Sequence, residues 1–518
     1  MIPFKAPTDD ILFSLAHVAG ASRVGAWDSE ATADILGHFS QFAEGVIAPL
    51  NATGDAQGAT LENGHVRMPD GFREAYNQLA QGGWQGLTAP EAFGGMAMPA
   101  LVAAGVSEVF SGANHSLQMV CNLVPGAIAT LLRFGSLAQQ DHWISRLASG
   151  TALSTMCLTE PAAGSDLSAI RTRATWDGDG WRLNGEKIFI SGGDQDLSEE
   201  ILHLVLARTS DVGLRGLSLF LCRRQPAAKV TRIERKLGLH ASPTCQVLFD
   251  GAAAELIGEE GAGLAAMFTM MNHARIDVAL QGVAHAARAA RIAEAYAQDR
   301  KQGRNAAGAP AVLSDHADVR RMLDEQEVLA LTSRAMCHVS LVEMELGADP
   351  ALAEFLTSLC KVYGSEAGIR AADLGMQIMG GYGYLTEYGM EQIWRDARIC
   401  AIYEGANGIH TKGLVTRGLR PGGGADAFEA LVSTLTEGVP DPELLDAWRH
   451  LRRLLQGSKD PSPWARAFYE ASAALFENAI WQKIRKVADL HPDAMRRHTL
   501  ARLGTARRTK VEPDRVNS

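Results

Sequence analysis

One long helical stretch constrains the fold of this chain more than any other feature. In residues 261–300, apolar side chains recur at helical spacing through "GAGLAAMFTMMNHARIDVALQGVAHAARAARIAEAYAQDR". At a rise of about 1.5 Å per residue such a helix crosses a whole domain, so its packing partners must also be long. Residues 316–346 and 350–379 show the same spacing. These runs predict a bundle of long, largely buried helices.

The segments around this bundle show two different patterns. Helical spacing also marks residues 31–147, whereas residues 154–255 contain short strand-like runs, with Asn184–Gly185 predicted as a hairpin turn. We therefore predict a mostly α fold with a central β domain. The predicted segments are an N-terminal extension (1–30), a helical N-terminal domain (31–153), a β domain (154–258), a helical bundle domain (259–419) and a C-terminal helical extension (420–518).

Composition excludes several classes of protein. The net charge of -10, with 49 Lys and Arg against 59 Asp and Glu, argues against nucleic-acid binding by bulk electrostatics. We expect the basic run "MRRHTLARLGTARRTK" (495–510) to be a solvated helix face. The seven cysteines form no C-x-x-C pair, and the N-terminus lacks a signal-peptide layout. We expect a cytoplasmic protein with reduced thiols and with no metal, membrane or nucleic-acid partner.

Two neighbouring motifs are typical of a site for a flat ligand. In "CLTEPAAGSD" a predicted strand ends in a turn, where the hydroxyls of Thr159 and Ser165 and the small Gly164 allow close approach to a ligand. In "NGEKIFISGG", Phe189 and Ser191 lie on the same face of a strand. Taken alone, the first motif also fits a plain surface loop, and the second fits a core Phe beside a surface Ser.

Two arginines of the long helical run suggest two anion sites. Arg275 and Arg300 are 25 residues apart, which puts them on one helix face but about 37 Å from each other. They cannot bind the same phosphate. Either the chain handles two phosphate-bearing groups, or one arginine binds a ligand of a neighbouring subunit, or both are ordinary solvated arginines.

Glu404 is the candidate catalytic carboxylate. It follows the apolar run "ICAIY" and precedes "GANGI", while Gln377 and Gly381 lie at the end of the preceding long helix. Partial burial would raise the pKa of Glu404 above its ordinary value and make it a stronger base, able to remove a proton from carbon. The alternative is a helix-end Glu that pairs with Arg395 or Arg398.

These motifs, in this order and spacing, resemble the acyl-CoA dehydrogenase family of flavoproteins. The resemblance covers residues 31–419 and includes "QIMGGYGYLTEYGMEQIWRDARI" and "IYEGANGI". Stretches such as "FKAPTDDILFSLAHV" and "AYAQDRKQGR" are most similar to the branch that contains 3-(methylthio)propanoyl-CoA dehydrogenase. The resemblance implies a helical N-terminal domain, a middle β-sandwich or barrel and a C-terminal four-helix bundle, here with extra C-terminal helices.

The resemblance also assigns residues to roles. It implies that FAD, bound between domains and across a dimer contact, meets Leu158, Thr159, Gly164, Ser165, Phe189, Ser191 and Asn407. It implies that the FAD of the other subunit meets Arg300, Gln302, Gln377 and Gly381. It places Ser165, Asn272, Arg275, Tyr403 and Gly405 at the substrate.

Glu404 matches the catalytic base of the family. The implied reaction removes the α-proton of a short-chain acyl-CoA, with 3-methylthiopropanoyl-CoA as one candidate, while the β-hydrogen leaves as hydride to flavin N5. The product is a trans-2-enoyl-CoA. The backbone N–H of Glu404 and a flavin hydroxyl would stabilise the negative charge that develops on the thioester oxygen.

The resemblance implies an electron-transfer flavoprotein as electron acceptor and a homodimer or dimer of dimers. An acyl-CoA oxidase that uses oxygen is an alternative within the same fold. A flavin-bearing DNA-associated binding protein is an alternative of another class, against which the acidic net charge and Glu404 both count. Two positions depart from the family: Phe189 stands where Trp is common, and Ala406 replaces a common Thr whose hydroxyl helps to hold the cofactor.

Overall fold

The computed structural model describes residues 2–305 and 307–506. Its helices are α1 (Thr8–Phe13), α2 (Ser29–Phe42), α3 (Leu50–Gln57), α4 (Phe72–Gln81), α5 (Ala100–Cys121), α6 (Val124–Phe134), α7 (Leu137–Ala148), α8 (Gly263–Asp299), α9 (Ala317–Glu345), α10 (Pro350–Met379), α11 (Met390–Arg398), α12 (Asn407–Thr416), α13 (Ala425–Leu435), α14 (Pro442–Gln456), α15 (Ala465–Val487) and α16 (Ala494–Ala506). Its strands are β1 (Thr60–Glu62), β2 (His65–Arg67), β3 (Ala152–Cys157), β4 (Arg173–Trp176), β5 (Trp181–Ser191), β6 (Glu200–Arg208), β7 (Leu217–Arg223), β8 (Ala228–Ile233), β9 (Thr244–Ile257), β10 (Lys301–Arg304) and β11 (Pro310–Val312).

These elements form two compact units. The first takes the chain up to Glu44, the segment Pro99–Gly112 and the chain from Arg275 onward, and the second takes Gly45–Met98 and Ala113–Ala274. The boundaries fall inside α5 and α8. In α5 the backbone leaves helical geometry next to the boundary, at Asn114 (φ -159°, ψ 94°). The five linear segments proposed from the sequence stay a prediction.

The core of the first unit lies where α8, α9, α10 and α11 meet, and it consists mainly of Ala, Leu, Ile and Met side chains. The helices α8 and α10 approach closely because glycines face each other. A Cβ on Gly282 would lie 2.1 Å from the carbonyl oxygen of Gly364, which is far inside van der Waals contact. The long helices expected from the sequence are therefore present, and they are packed through small residues.

Local signals fix both ends of α10. Pro350 is its first residue, and the Asp349 side chain accepts a hydrogen bond from the N–H of Ala351 at 2.7 Å. Both features are typical of a helix N-terminus. The helix ends at Met379 because Gly380 has a positive φ of 60°, which leaves the helical region.

The C-terminal extension packs against α10 through an aromatic cluster. The ring of Phe355 on α10 lies 4.9 Å from that of Phe428 and 6.4 Å from that of Phe468, centre to centre. Trp448 lies 5.8 Å from Phe428 and donates a hydrogen bond to Ser472 at 2.9 Å. The helices α13, α14 and α15 therefore share a core with α10 and are not a loose appendage.

Charged side chains join the two ends of the first unit. Asp10 on α1 forms ion pairs with His491 (3.0 Å) and with Arg497 on α16 (3.2 Å). Arg496 pairs with Asp324 at 2.7 Å. The expectation of a solvated basic face is therefore wrong for Arg496 and Arg497, because folding brings acidic groups from α1 and α9 against them. Residues 507–510 of the same run lie outside the described residues.

The second unit is built on a seven-stranded sheet with the order β3, β6, β4, β5, β9, β7, and β8 pairs with β9. The strands β3 and β6 are parallel, while β5 and β9 are antiparallel. The helices α6 and α7 pack near β3. The predicted fold class, mostly α with a central β domain, is confirmed.

The predicted Asn184–Gly185 hairpin is wrong. Both residues lie inside the continuous strand β5, and the extra residue that shifts the register there is in β9, where Gly251 has φ 69°. Asn184 accepts a hydrogen bond from the N–H of Gly251 at 2.9 Å. Gly185 is required for close packing, since a Cβ would lie 2.5 Å from the Thr172 hydroxyl. The Asn-Gly pair therefore serves a bulge, not a turn.

Within the described part of the chain, no single helix combines the length and the hydropathy of a membrane span, and the consecutive helices α5 and α6 reach that level only when taken together. All seven cysteines are free thiols with buried side chains.

Candidate active site

The residues 403–407, here called the Glu404 turn, connect a short 3₁₀ helix to α12. Glu404 has φ 52° and Gly405 has φ 91°, so both lie in the left-handed region. A residue with a Cβ pays about 1–2 kcal/mol for this conformation. Gly405 must be glycine for a further reason, because a Cβ would lie 2.9 Å from Nε2 of His410. The glycine next to the carboxylate is therefore explained by the geometry of the turn itself.

Two side chains hold consecutive carbonyl groups of this turn. Nε2 of His410 donates to the carbonyl oxygen of Glu404 at 3.0 Å, so this nitrogen carries the proton. Nζ of Lys361 on α10 donates to the carbonyl oxygen of Gly405 at 2.7 Å and to Oδ1 of Asn407 at 3.0 Å. The sequence did not point to His410 or Lys361. The available signal was one Lys inside the otherwise uncharged "LTSLCKVYG" of a buried helix.

The environment of Glu404 gives its carboxyl group a raised pKa. Burial raises the pKa from the ordinary 4.5 to about 7; the positive charges of Arg275 and Lys361 oppose the rise, and Asp277 adds to it. This agrees with the direction expected from the apolar sequence around Glu404. A carboxylate that ionises near neutral pH is both available and strong as a general base.

The alternative of a helix-end ion pair for Glu404 is not supported. Arg395 donates to Glu391 at 2.6 and 3.1 Å, one turn earlier on α11. Arg398 is exposed. The cations that act on Glu404 come from α8 and α10, which are distant in sequence.

Three other predicted residues of the first unit have well-defined positions. The Tyr403 hydroxyl donates to Oε1 of Gln281 on α8. Asn407 accepts from Lys361 and donates to Ser365 at 3.1 Å. Burial lowers the pKa of Arg275, and the nearby Glu404 partly offsets this effect. The roles of these residues toward substrate and cofactor stay predictions.

Asn272, the other residue expected at the substrate, lies three residues before Arg275 on α8. It belongs to the second unit, where its side chain is exposed, whereas Arg275 begins the first unit.

In the second unit, the loop after β3 is fastened to β5. The N–H of Ile188 donates to the carbonyl oxygen of Thr159 at 2.9 Å. The buried Nζ of Lys187 donates to the carbonyl oxygen of Leu158 at 3.0 Å and to Oε1 of Glu160 at 2.8 Å. The structure thus brings the two predicted motifs together and adds a buried ion pair, Lys187 with Glu160, that the sequence did not suggest.

Phe189 is presented to solvent by a local irregularity of β5. A bulge interrupts the pairing with β9 between Lys187 and Ile190, and Phe189, with φ 60°, is 60% exposed. Ser191, two residues on, is half-buried, and Gly164 and Ser165 are exposed. An exposed aromatic ring beside a loop of small and hydroxyl-bearing residues can hold a flat ligand. The alternative of a core Phe is therefore wrong.

A cleft of about 700 Å³ in the first unit gathers most of the remaining predicted residues. Its lining residues are Tyr296, Arg300, Gln302, Leu313, Ile378, Met379, Gly380, Gly381, Tyr382 and Leu385. The guanidinium of Arg300 lies 5.2 Å from the ring centre of Tyr382. Gln377 is outside this lining, exposed on the last turn of α10. The helix α8 ends at Asp299, so Arg300 follows the helix and does not share its face with Arg275.

Comparison with protein families gives one consistent match along most of the chain. The N-terminal domain of acyl-CoA dehydrogenases matches residues 29–151, the middle domain matches residues 155–252, and the C-terminal domain matches residues 261–419.

Individual proteins agree with this match. The chain is 40% identical over 468 residues to 3-methylmercaptopropionyl-CoA dehydrogenase of Ruegeria pomeroyi, which covers 84% of this chain and 80% of that protein. It is 32% identical to the broad-specificity linear acyl-CoA dehydrogenase FadE5 of Mycobacterium tuberculosis, over 80% of this chain and 75% of that one. Butyryl-CoA dehydrogenase from Megasphaera elsdenii superposes with a TM-score of 0.65 at 26% identity, over 73% of this chain and 95% of that structure.

Proposed function

The chain belongs to the acyl-CoA dehydrogenase family, and on that premise we propose that it binds FAD and oxidises a short-chain acyl-CoA to the trans-2-enoyl-CoA with Glu404 as the base. The observation that carries the proposal is the carboxyl group of Glu404, whose pKa is about 7, on a turn held by Lys361 and His410. An ordinary surface Glu would be a much weaker base.

The residues present fit FAD in each unit taken separately. In the second unit, the exposed ring of Phe189 and the Leu158–Thr159 loop beside it suit a flat isoalloxazine ring. In the first unit, the cleft with Arg300 and Gln302 suits a phosphate-bearing nucleotide, which by family resemblance belongs to the FAD of another subunit. The chemistry that FAD supplies when bound is the acceptance of two electrons together with the β-hydrogen.

The protein's own contribution is proton removal. Near neutral pH a large fraction of Glu404 is ionised, so that the carboxylate can accept the α-proton of a bound thioester. The positive charges of Arg275 and Lys361 keep the pKa from rising further, which preserves that ionised fraction. The hydrogen bonds to the carbonyl groups of Glu404 and Gly405 fix the two peptide planes that follow the base, so its direction is set before substrate binds.

We assign the substrate to short acyl chains, with 3-methylthiopropanoyl-CoA as the first candidate. The support is the 40% identity to a dehydrogenase named for that thioester. We further propose an electron-transfer flavoprotein as acceptor, a homodimer or a dimer of dimers as the assembly, and a cytoplasmic location, in keeping with the seven free thiols.

The test is anaerobic flavin bleaching by methylthiopropanoyl-, propanoyl- and butanoyl-CoA. We expect wild type to bleach and release enoyl-CoA, and Glu404→Gln to be slower by roughly 10²- to 10⁴-fold. Glu259→Gln, a change at an exposed Glu before α8, is the matched control and should keep the wild-type rate. Bleaching by Glu404→Gln at the wild-type rate would refute the assignment of the base.

The same assay in air separates the two enzymatic alternatives. Hydrogen peroxide formed in equal amount to enoyl-CoA would identify an oxidase, whereas slow reoxidation without an added acceptor supports a dehydrogenase.

The alternative of a DNA-associated binding protein is less well supported than before. Arg496 and Arg497 of the basic run form ion pairs within the first unit. Salt-sensitive retention of the full chain on DNA, without formation of enoyl-CoA, would restore this alternative.

A further inference from the structure

The C-terminal extension is the largest part of the chain in which no residue has been given a role in the proposed reaction. The family match ends at residue 419, and the helices α13 to α16 follow it. Their aromatic cluster packs on α10, the helix that carries Lys361. The extension is therefore built directly onto the element that holds the Glu404 turn.

A continuous line of polar contacts leads from the extension to that turn. Arg466, at the start of α15, donates to both carboxylate oxygens of Glu366 at 2.5 and 3.0 Å. Oε1 of Glu366 also accepts from Nδ2 of Asn407 at 3.3 Å. Oδ1 of Asn407 accepts from Lys361, whose ammonium group also holds the carbonyl oxygen of Gly405. Every step of this line lies in the first unit.

This line of polar contacts contributes little to the free energy of unfolding. The side chains of Arg466 and Glu366 are 54% and 37% exposed, and an exposed ion pair of this kind contributes little free energy. What the pair does is fix the rotamer of Glu366, because a bidentate guanidinium holds a carboxylate in one plane. Glu366 in turn fixes Asn407, a residue of the Glu404 turn.

Lys361 has a role that a neutral donor could not fill. It is a buried ammonium group that bonds the residue after the base, and its charge acts on Glu404. The other charged or titratable groups that interact with Lys361 or Glu404 are Arg275, Asp277, Glu366, Cys400, Tyr403 and His410. Loss of Lys361 therefore changes both the geometry of the turn and the charge beside the base.

We propose that Lys361 is a positioning residue that fixes the Glu404 turn for proton removal. Arg466 of the C-terminal extension is linked to this lysine through the carboxylate of Glu366 and the amide of Asn407. The inference rests on the proposed function of Glu404 as the base. It adds to that function the residues through which the position of Glu404 depends on the C-terminal extension.

The first test measures flavin bleaching by butanoyl-CoA in full-length holoenzyme from about pH 5 to 9. For Lys361→Met we expect a rate lower by roughly 10²-fold. We also expect the acidic limb of the pH profile to move to higher pH, because one cation that favours ionised Glu404 is gone. A lysine with a merely structural role would lower the rate or the FAD content and leave the position of that limb unchanged.

The second test addresses the extension. Arg466→Met and Glu366→Gln should each slow bleaching by about five-fold, the value of one lost hydrogen bond. The double variant should be no slower than either single variant, since both break the same line. Arg449→Met is the matched control: this exposed arginine of α14 pairs with Glu429 inside the extension, and its loss should leave the rate unchanged.

The outcomes are separable. If Glu404→Gln is inactive but Lys361→Met keeps the wild-type rate and pH profile, the positioning role is wrong and the proposed function stands. If Glu404→Gln is active, the proposed function itself fails. Equal rates for Arg466→Met and Arg449→Met would overturn the role of the extension. Where Lys361→Met does not give folded holoenzyme, the variants of Glu366 and Arg466 decide.

Discussion

Replacement of Glu404 by Gln should stabilise the folded protein while it slows flavin bleaching by roughly 10²- to 10⁴-fold. The folded-state pKa of about 7 lies above the ordinary 4.5, so the folded state binds this proton more tightly than the unfolded state. The stability contributed by the protonated carboxyl is complete below about pH 4.5 and is lost as the pH rises through 7. At about 1.4 kcal/mol per pKa unit the loss is about 3 kcal/mol, which partial solvent contact reduces to about 2 kcal/mol.

Gln has nearly the same shape and does not ionise, so its advantage over Glu must depend on pH. Urea unfolding of wild-type and Glu404→Gln holoenzyme at several pH values measures the difference in the free energy of unfolding. We expect a difference close to zero near pH 4 that grows to about 2 kcal/mol in favour of Gln near pH 8. A difference of constant size across this range, or one in favour of Glu at pH 8, would refute the account of Glu404 as a half-buried acid whose ionisation destabilises the fold.

Two further predictions concern the helical framework. Glu108→Gln leaves the buried guanidinium of Arg334 without the carboxylate that it now meets at 2.6 to 3.0 Å. Urea unfolding should show that the free energy of unfolding falls by about 3–5 kcal/mol. A fall of less than about 1 kcal/mol would contradict the argument from a buried ion pair. Ala406→Thr supplies a hydroxyl at the N-cap of α12, which has no side-chain cap, and should raise stability by about 1 kcal/mol; Ala406→Val, which lacks the hydroxyl, should show no such gain.

Patterns that are local in sequence predicted a large part of the fold. The helical spacing of residues 261–300 corresponds to α8, and the glycines after Gln377 mark the end of α10. The raised pKa of Glu404 followed from its apolar neighbours. The family resemblance placed Arg300, Gln302 and Gly381 at one site, and the structure shows that all three line one cleft.

Contacts between distant segments were beyond these patterns. Lys361 lies 44 residues before Gly405, and no local pattern of the sequence identified it as a partner of the Glu404 turn. The same limit explains the error at Asn184–Gly185. The dipeptide alone favours a tight turn, but β9 supplies a continuous partner for β5 and places its own extra residue at Gly251. Pairing along the whole strand outweighs the local preference.

The pKa of Glu404 results from a balance that has to fall within a narrow range. Burial alone would raise it until the carboxyl stayed protonated at neutral pH, and a protonated carboxyl cannot accept a proton. Strong pairing with a cation would lower it below its ordinary value and leave a weak base. Arg275 and Lys361 lower the pKa while Asp277 raises it. The net value of about 7 lies between that of a carboxyl that stays protonated and that of a carboxylate that is too weak a base. Because Lys361 also bonds the main chain of the turn, the geometry and the basicity of Glu404 cannot be changed independently at this position.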